Sequence, residues 1–355
     1  MSAGRSVIAE RLTAQLLAGE RAGDPVAVAR RLLAVQGQDQ RGARLAIRAR
    51  SDGLTAADVD RALSEDRSLL ITWLNRGTLH LIASEDYAWL HPLTTPPLVR
   101  PNARRLSQEG VDADAAERGV KVIERALARD GPLDRVQLRE RLDTAGVRTA
   151  GQALIHLLML ATLRGLTVRG PMVDGRHCYV LVRDWLGART AAATAGGLDP
   201  LERERALAEL ARRYLAGHGP ADDRDLARWA GLPLRDARAG LGAIASELRE
   251  REDGLLDLAR RPAGAAAPLP PPRLLGAFDP LLLGWCSRAH LLAGATARIV
   301  TVNGLFRPFA LVKGKAMAVW SIPRGEVVIE PFPGLTAAAG RALRTDAREV
   351  LRFLG

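Results

Sequence analysis

One order of elements recurs along this 355-residue chain and limits what it can fold into. A helix, a short helix, a turn, a longer helix and a β-hairpin follow one another, and then the order starts again. The middle copy is the most legible. Val120 to Ala128 has helical spacing, Arg135 to Leu142 reads as a short helix, and Ala150 to Leu160 as a longer apolar one. Strand-like pieces over Leu166 to Arg169 and His177 to Val182 then close around Asp174-Gly175, a dipeptide that accepts the positive φ angles of a tight hairpin turn. That is the order of a winged helix.

The first copy begins with the stripe Ile8, Leu12, Leu16 and Leu17 between Val7 and Ala18. Asp24-Pro25 opens a second helix, since Asp can cap and Pro suits a first turn. That helix is expected to run to about Val35, with Gly37 as its stop. Asp39 then caps a third through Arg50, Thr55 to Leu63 gives a fourth, and "ITWLNRGTLHLIA" a hairpin turning at Asn75-Arg76-Gly77. The third copy has helices at Leu201 to Ala216, Asp223 to Trp229 and within "PLRDARAGLGAIASEL", with Leu255 to Leu258 as a remnant strand. The starts "GPLDRVQL" and "GPADDRDL" repeat one unit.

After "RRPAGAAAPLPPPR" (260–273), a linker by composition, the pattern changes. "RLLGAFDPLLLGW", "ARIVTVNGLFRPFALV" and "KAMAVWSI" read as strands, and Thr336 to Leu354 as a closing helix. The expected fold class is therefore mainly α with small β-sheets. Three tandem winged-helix motifs (1–100, 115–190, 198–260) precede a C-terminal β-rich domain (273–355) with a terminal helix.

Charge narrows the function. The formal net charge is +11, and almost all of the positive charge is arginine, with Lys121, Lys313 and Lys315 the only lysines. A basic surface points to nucleic acid or another polyanion. Cys178 and Cys286 stand alone, without zinc spacing to a histidine, so no metal is expected. Met1 to Glu20 has no signal-peptide core and no stretch approaches a membrane span, so a cytoplasmic, nucleoid-associated protein without a membrane partner is expected.

Against that background Gln36 and Gln38 admit two readings. One is a polar turn whose amides satisfy free helix-end groups. The other is a working pair, which needs the helix break at Gly37, because positions i and i+2 of a continuous helix diverge. Asp39 is likewise an N-cap or a water-activating base. Arg41, Arg44 and Arg48, spaced i, i+3, i+7, form one face that is either solvated or placed for phosphates. Two hairpin tips are either plain turns or wedges for a minor groove. One carries Met172 and Arg176; the other carries Leu305, Phe306, Arg307 and Pro308. His80 is a strand histidine, either a hydrogen-bonding partner or a neighbour of the site. Asp279, before a proline, reads as a turn residue.

Taken in order, "LLAVQGQDQRGARLAIRAR", "LNRGTLHLI", "GPADDRDLARWAGL", "LLGAFDPLLLG" and "VNGLFRPFALVKGKAMAVW" resemble the winged-helix DNA glycosylases of the AlkZ and YcaQ type, over about residues 5 to 350. The resemblance implies a DNA-wrapping chain of three winged helices and a β domain. It implies hydrolysis of the N-glycosidic bond of alkylated purines, including N7-guanine adducts and interstrand crosslinks, and self-resistance to a DNA-alkylating antibiotic. The family's Gln-x-Gln motif falls on Gln36 and Gln38. An Asp is expected at the second position of the YcaQ type, so Gln38 favours the AlkZ-like branch; Gly37 stands where that branch usually has an apolar residue. The implied partner is double-stranded DNA with alkylated purines, with no cofactor and no obligate protein partner. The alternative is a winged-helix regulator that binds DNA without catalysis, or a member that has lost chemistry and only shields damage.

Overall fold

The computed structural model describes residues 3–261 and 266–355. Part of the linker reading, Pro262 to Ala265, lies outside the described residues. The fold is mainly helical with small antiparallel sheets. It divides into two compact units: Met1–Val59, Leu207–Trp229 and Pro233–Gly355 form one, Asp60–Ala206 and Ala230–Leu232 the other.

In the second unit the hairpin Leu69–Leu74/Thr78–Ala83 pairs in unbroken register from Leu69↔Ala83 to Leu74↔Thr78. Its turn uses Asn75 (φ 51°) and Gly77 (φ 77°). The hairpin Thr167–Val173/Arg176–Leu181 turns through Asp174 (φ 49°) and Gly175 (φ 73°). Read singly in the sequence, the two hairpins merge into one sheet through Ile71↔Arg169. Helices Ala113–Asp130, Arg135–Thr144 and Ala153–Leu163 stand close to their expected places. The last is apolar all round and none of its side chains is exposed, because it forms core rather than surface. Pro92, Pro96, Pro97 and Pro101 hide two further helices, Tyr87–Thr94 and Pro96–Gln108. The second of these tolerates Pro96 and Pro97 because they sit in its first turn, where an N–H has no partner to lose.

The first unit contains helices Pro25–Leu32 and Gln40–Arg48, the two-stranded pair Leu248–Glu250/Leu256–Leu258, and a four-stranded sheet. Its strands lie in the order Val328–Pro331, Lys315–Ser321, Phe309–Val312, Arg273–Leu275. The expected strand in "RLLGAFDPLLLGW" is shorter than its apolar run suggests. It stops at Leu275, and Pro280–Leu283 forms a helical turn because Asp279 accepts the Leu281 N–H at 2.9 Å. "ARIVTVNGLFRPFALV" is also not one strand: Thr296–Ile299 is helical, and only Phe309–Val312 joins the sheet. Thr336 caps the terminal helix Ala337–Leu354, and Asp346 on that helix accepts the Leu274 N–H at 2.7 Å, tying helix to sheet.

Candidate functional site

Asp24 opens its helix as expected, accepting the Ala27 N–H at 2.8 Å. The end of that helix differs. It stops at Leu32, and the break is made by Leu33, whose φ is 63°, not by Gly37. With ψ at −45° and the Ala34 N–H donated to the Leu32 carbonyl at 2.8 Å, Leu33 makes a strained γ-turn, which complete burial of its side chain offsets. Val35–Gln36 is then extended, Gln38 lies in a bend, and Asp39 caps Gln40–Arg48 by accepting the Gly42 N–H. The glutamines therefore stand in non-helical backbone between two caps. They are not equivalent: Gln36 is 7% exposed, whereas Gln38 is open to solvent. Each amide offers a carbonyl acceptor and two N–H donors.

The expected basic face is largely internal. Arg41 is exposed, but Arg44 and Arg48 are buried. Arg44 Nη1 donates to the Gln40 carbonyl at 3.0 Å. Arg48 donates to the Leu274 carbonyl at 3.0 Å and pairs with Asp346. A row of three phosphate contacts is thereby corrected to one open cation, Arg41, on this helix. Arg50, just beyond it, is fully buried and bidentate to Asp279 at 2.8 and 2.9 Å, with Gln15 Oε1 accepting another bond at 2.8 Å. Asp279 is thus more than a turn residue: it is a buried anchor. Close backbone contact completes the clamp. Gly276 sits where a Cβ would lie 2.9 Å from the Gly42 Cα, and a Cβ on Gly42 would collide with the Ala277 carbonyl. Gly276 of "LLGAFDP" and Gly42 of "QGQDQRG" are required by this approach.

The loop between Ile299 and Phe309 is built in another way. A bridge joins Val300 to Phe306, and Thr301 N–H donates to the Leu305 carbonyl at 2.9 Å. Val302 is fully exposed and Leu305 is 56% exposed, while Arg307 also faces solvent. Phe306 is held from beneath by Phe278, with ring centroids 5.6 Å apart, and by the Arg288 guanidinium at 5.2 Å. Pro308 is half-buried and leads into the sheet. Val302 was not singled out from sequence. An apolar residue directly before Asn303-Gly304, a turn dipeptide, is the signal that reveals it.

Met172, Arg176 and His80 belong to the other compact unit. Met172 is half-buried, its N–H 3.0 Å from Ser64 Oγ. Arg176 is exposed at the hairpin tip but bonded at 2.9 Å to Asp134, the residue that caps Arg135–Thr144 in a capping box. His80 is 3% exposed, with Nδ1 2.9 Å from the Thr78 carbonyl. Burial, helped by Arg76, pushes its pKa down to about 3, so the ring is neutral near pH 7. Among the described residues no three His, Cys, Asp or Glu side chains gather in a metal-binding group, and no helix is long and apolar enough to cross a membrane.

A basic, mainly helical chain with small antiparallel sheets belongs, by comparison with known proteins, to the class of DNA-processing enzymes. The family model described as DNA glycosylase AlkZ-like matches residues 29–353, and the chain belongs to that family. An interstrand DNA cross-link repair glycosylase of Streptomyces sahachiroi is 27% identical over 372 residues, covering 99% of this chain and 96% of the relative. The solved structure of the Streptomyces sahachiroi DNA glycosylase AlkZ matches with a TM-score of 0.79 at 25% identity, again covering 99% of this chain and 96% of that one. The comparisons support a monofunctional DNA glycosylase and do not favour the non-catalytic regulator.

Proposed function

We propose that this glycosylase hydrolyses the N-glycosidic bond of alkylated purines, N7-alkylguanines above all, including bulky and crosslinked adducts. The Streptomyces sahachiroi relative, named for interstrand cross-link repair, supports the crosslink part of this reading. In the cell it would act in the cytoplasm on the nucleoid and give self-resistance to a DNA-alkylating antibiotic. The helix orders read as three tandem winged helices followed by a β domain.

The observation that carries the chemistry is the non-helical Gln36-Gly37-Gln38 segment, ended by one cap at Leu33 and another at Asp39. Glycosidases ordinarily use two carboxylates. An N7-alkylguanine already carries a positive charge, so it leaves as a neutral base when the C1′–N9 electron pair moves onto the ring. No strong acid is required. The remaining task is to orient water towards C1′ and to stabilise an oxocarbenium-like sugar. Exposed Gln38 accepts a hydrogen bond from that water through Oε1. Buried Gln36 holds a partial negative charge towards the sugar and fixes the segment. The water's proton passes to solvent, and Asp39 serves as the cap.

Duplex DNA carrying one N7-alkylguanine, assayed for free modified base and abasic sites, tests this. The wild type should release the base. Gln36→Ala and Gln38→Ala should each lower the single-turnover rate by about 10²–10³-fold, the size of one lost transition-state hydrogen bond, with binding nearly unchanged. No release from either simple or bulky adducts would sink the substrate assignment. Collapse of binding in the variants would make the pair a grip on DNA and not a catalytic one.

A further inference from the structure

Within the first unit, below the C-terminal end of helix Gln40–Arg48, lies a pocket of about 200 Å³. Four arginines line it. Three have their own carboxylate: Arg21 pairs with Asp52, Arg48 with Asp346, and Arg352 with Glu349 at 2.8 Å. The fourth, Arg273, has no carboxylate partner among the described residues. It is 8% exposed, its Nη1 donates to the Ala49 carbonyl at 3.0 Å, and its Nε is buried without a partner. The local acids are already engaged. Asp346 accepts Arg48 on one oxygen and the Leu274 N–H on the other. Asp52 is turned largely to solvent beside Arg21.

A buried guanidinium that no carboxylate bonds directly is costly, because its charge is desolvated with only the longer-range pull of Asp346 and Asp52 to offset it. Burial, with Arg21 and Arg48 close by, outweighs the opposing pull of Asp346 and Asp52 and brings its pKa down to about 10. The pocket beside it is several times the roughly 30 Å³ share of a water molecule. The half-exposed Arg352, with Glu349 beside it, also lines the pocket. Guanidinium groups match tetrahedral oxyanions in geometry as well as charge.

We propose that this pocket is an oxyanion site that holds a phosphate group as the counter-charge of Arg273. Free inorganic phosphate and a phosphate carried by DNA share that chemistry.

Thermal melting of the full-length protein, titrated with inorganic phosphate at constant ionic strength in chloride, reads the site. The wild-type melting temperature should rise with phosphate and saturate. Arg352→Gln, at the open rim, should move the half-saturating concentration up about tenfold, the worth of one charge-assisted hydrogen bond. Arg273→Met should abolish the response; if that buried change prevents folding, the rim variant alone decides. Competition with oligonucleotides distinguishes the sources. Displacement of phosphate by a 5′-phosphorylated strand but not its dephosphorylated twin assigns a DNA end. Displacement by both assigns backbone phosphate, and by neither the free anion. A wild-type melting temperature indifferent to phosphate, or a response that Arg352→Gln leaves untouched, overturns the proposal.

Discussion

Helix Gln40–Arg48 turns Arg44 and Arg48 into the protein, while the loop before Phe309 turns its apolar side chains out of it. The helix is fixed three times over, by Arg48 on Asp346, by Arg50 on Asp279 and by the Gly42–Gly276 approach. The loop is held only at its neck, by the Val300–Phe306 bridge and the Phe306–Phe278 contact, and offers Val302 and Leu305 to solvent. Arginine is rarely buried unless paired, and Arg48 and Arg50 meet that condition through Asp346 and Asp279, whereas the exposed apolar side chains of the loop have no such compensation. The difference separates two needs of a base-excising enzyme. On the proposed reading, the segment that orients water would have to stay put, and a loop that meets DNA would have to have something to insert.

The largest effect is expected at the clamp. Asp279→Ala leaves Arg50 buried and unpaired and should cost about 3–5 kcal/mol, read from the urea denaturation midpoint. Replacing both partners, Arg50→Met with Asp279→Leu, should recover most of that loss, because the uncompensated charge disappears with its partner. A loss under about 1 kcal/mol in the single variant would mean that the helix is not held by this pair, and the contrast with the loop would fail.

How far the sequence reveals this contrast depends on what each signal measures. Caps, turn dipeptides and periodicity are local, so Asp24, Asp39, Asp174-Gly175 and the terminal helix after Thr336 stand where the sequence places them. Burial of a charged residue is not local. Arg41, Arg44 and Arg48 share a spacing that reads as a solvated or phosphate-facing stripe, and only the distant Leu274 and Asp346 turn the last of them inward. The helix stop at Leu33 is hidden for a related reason. A leucine takes up the positive φ of a γ-turn only when its burial offsets the strain, and that burial is tertiary. The Gln-x-Gln pair is proposed from the order of motifs around it, not from the chemistry of two amides.

At the loop the expected change is in activity, not stability. Val302→Asp combined with Leu305→Asp should leave the melting temperature within about a degree, since neither side chain packs in the interior. The same change should lower kcat/KM on a duplex adduct by roughly tenfold or more, because an apolar wedge offsets the few kcal/mol of unstacking a base step and a carboxylate repels phosphate. Unchanged kcat/KM would show that the exposed apolar tip meets something other than DNA.

The smallest effect is expected at the other tip, where Arg176 is exposed but already occupied by Asp134. Asp134 is itself busy, accepting the Val136 and Gln137 N–H groups at 2.8 Å each as the cap of its helix. Those bonds, with Arg176 beside them, hold its carboxyl below the usual range. A depressed carboxyl contributes stability above its unfolded pKa and loses it as pH falls through the lower folded one, so this brace should loosen only in acid. Arg176→Ala removes one exposed ion pair and should leave stability near neutral pH almost unchanged. If the tip is a brace, the salt dependence of DNA binding should be unchanged in that variant. If Arg176 leaves Asp134 to meet a phosphate, the slope of log affinity against log salt should fall by about one counterion, and both tips would then count as DNA-contacting surfaces.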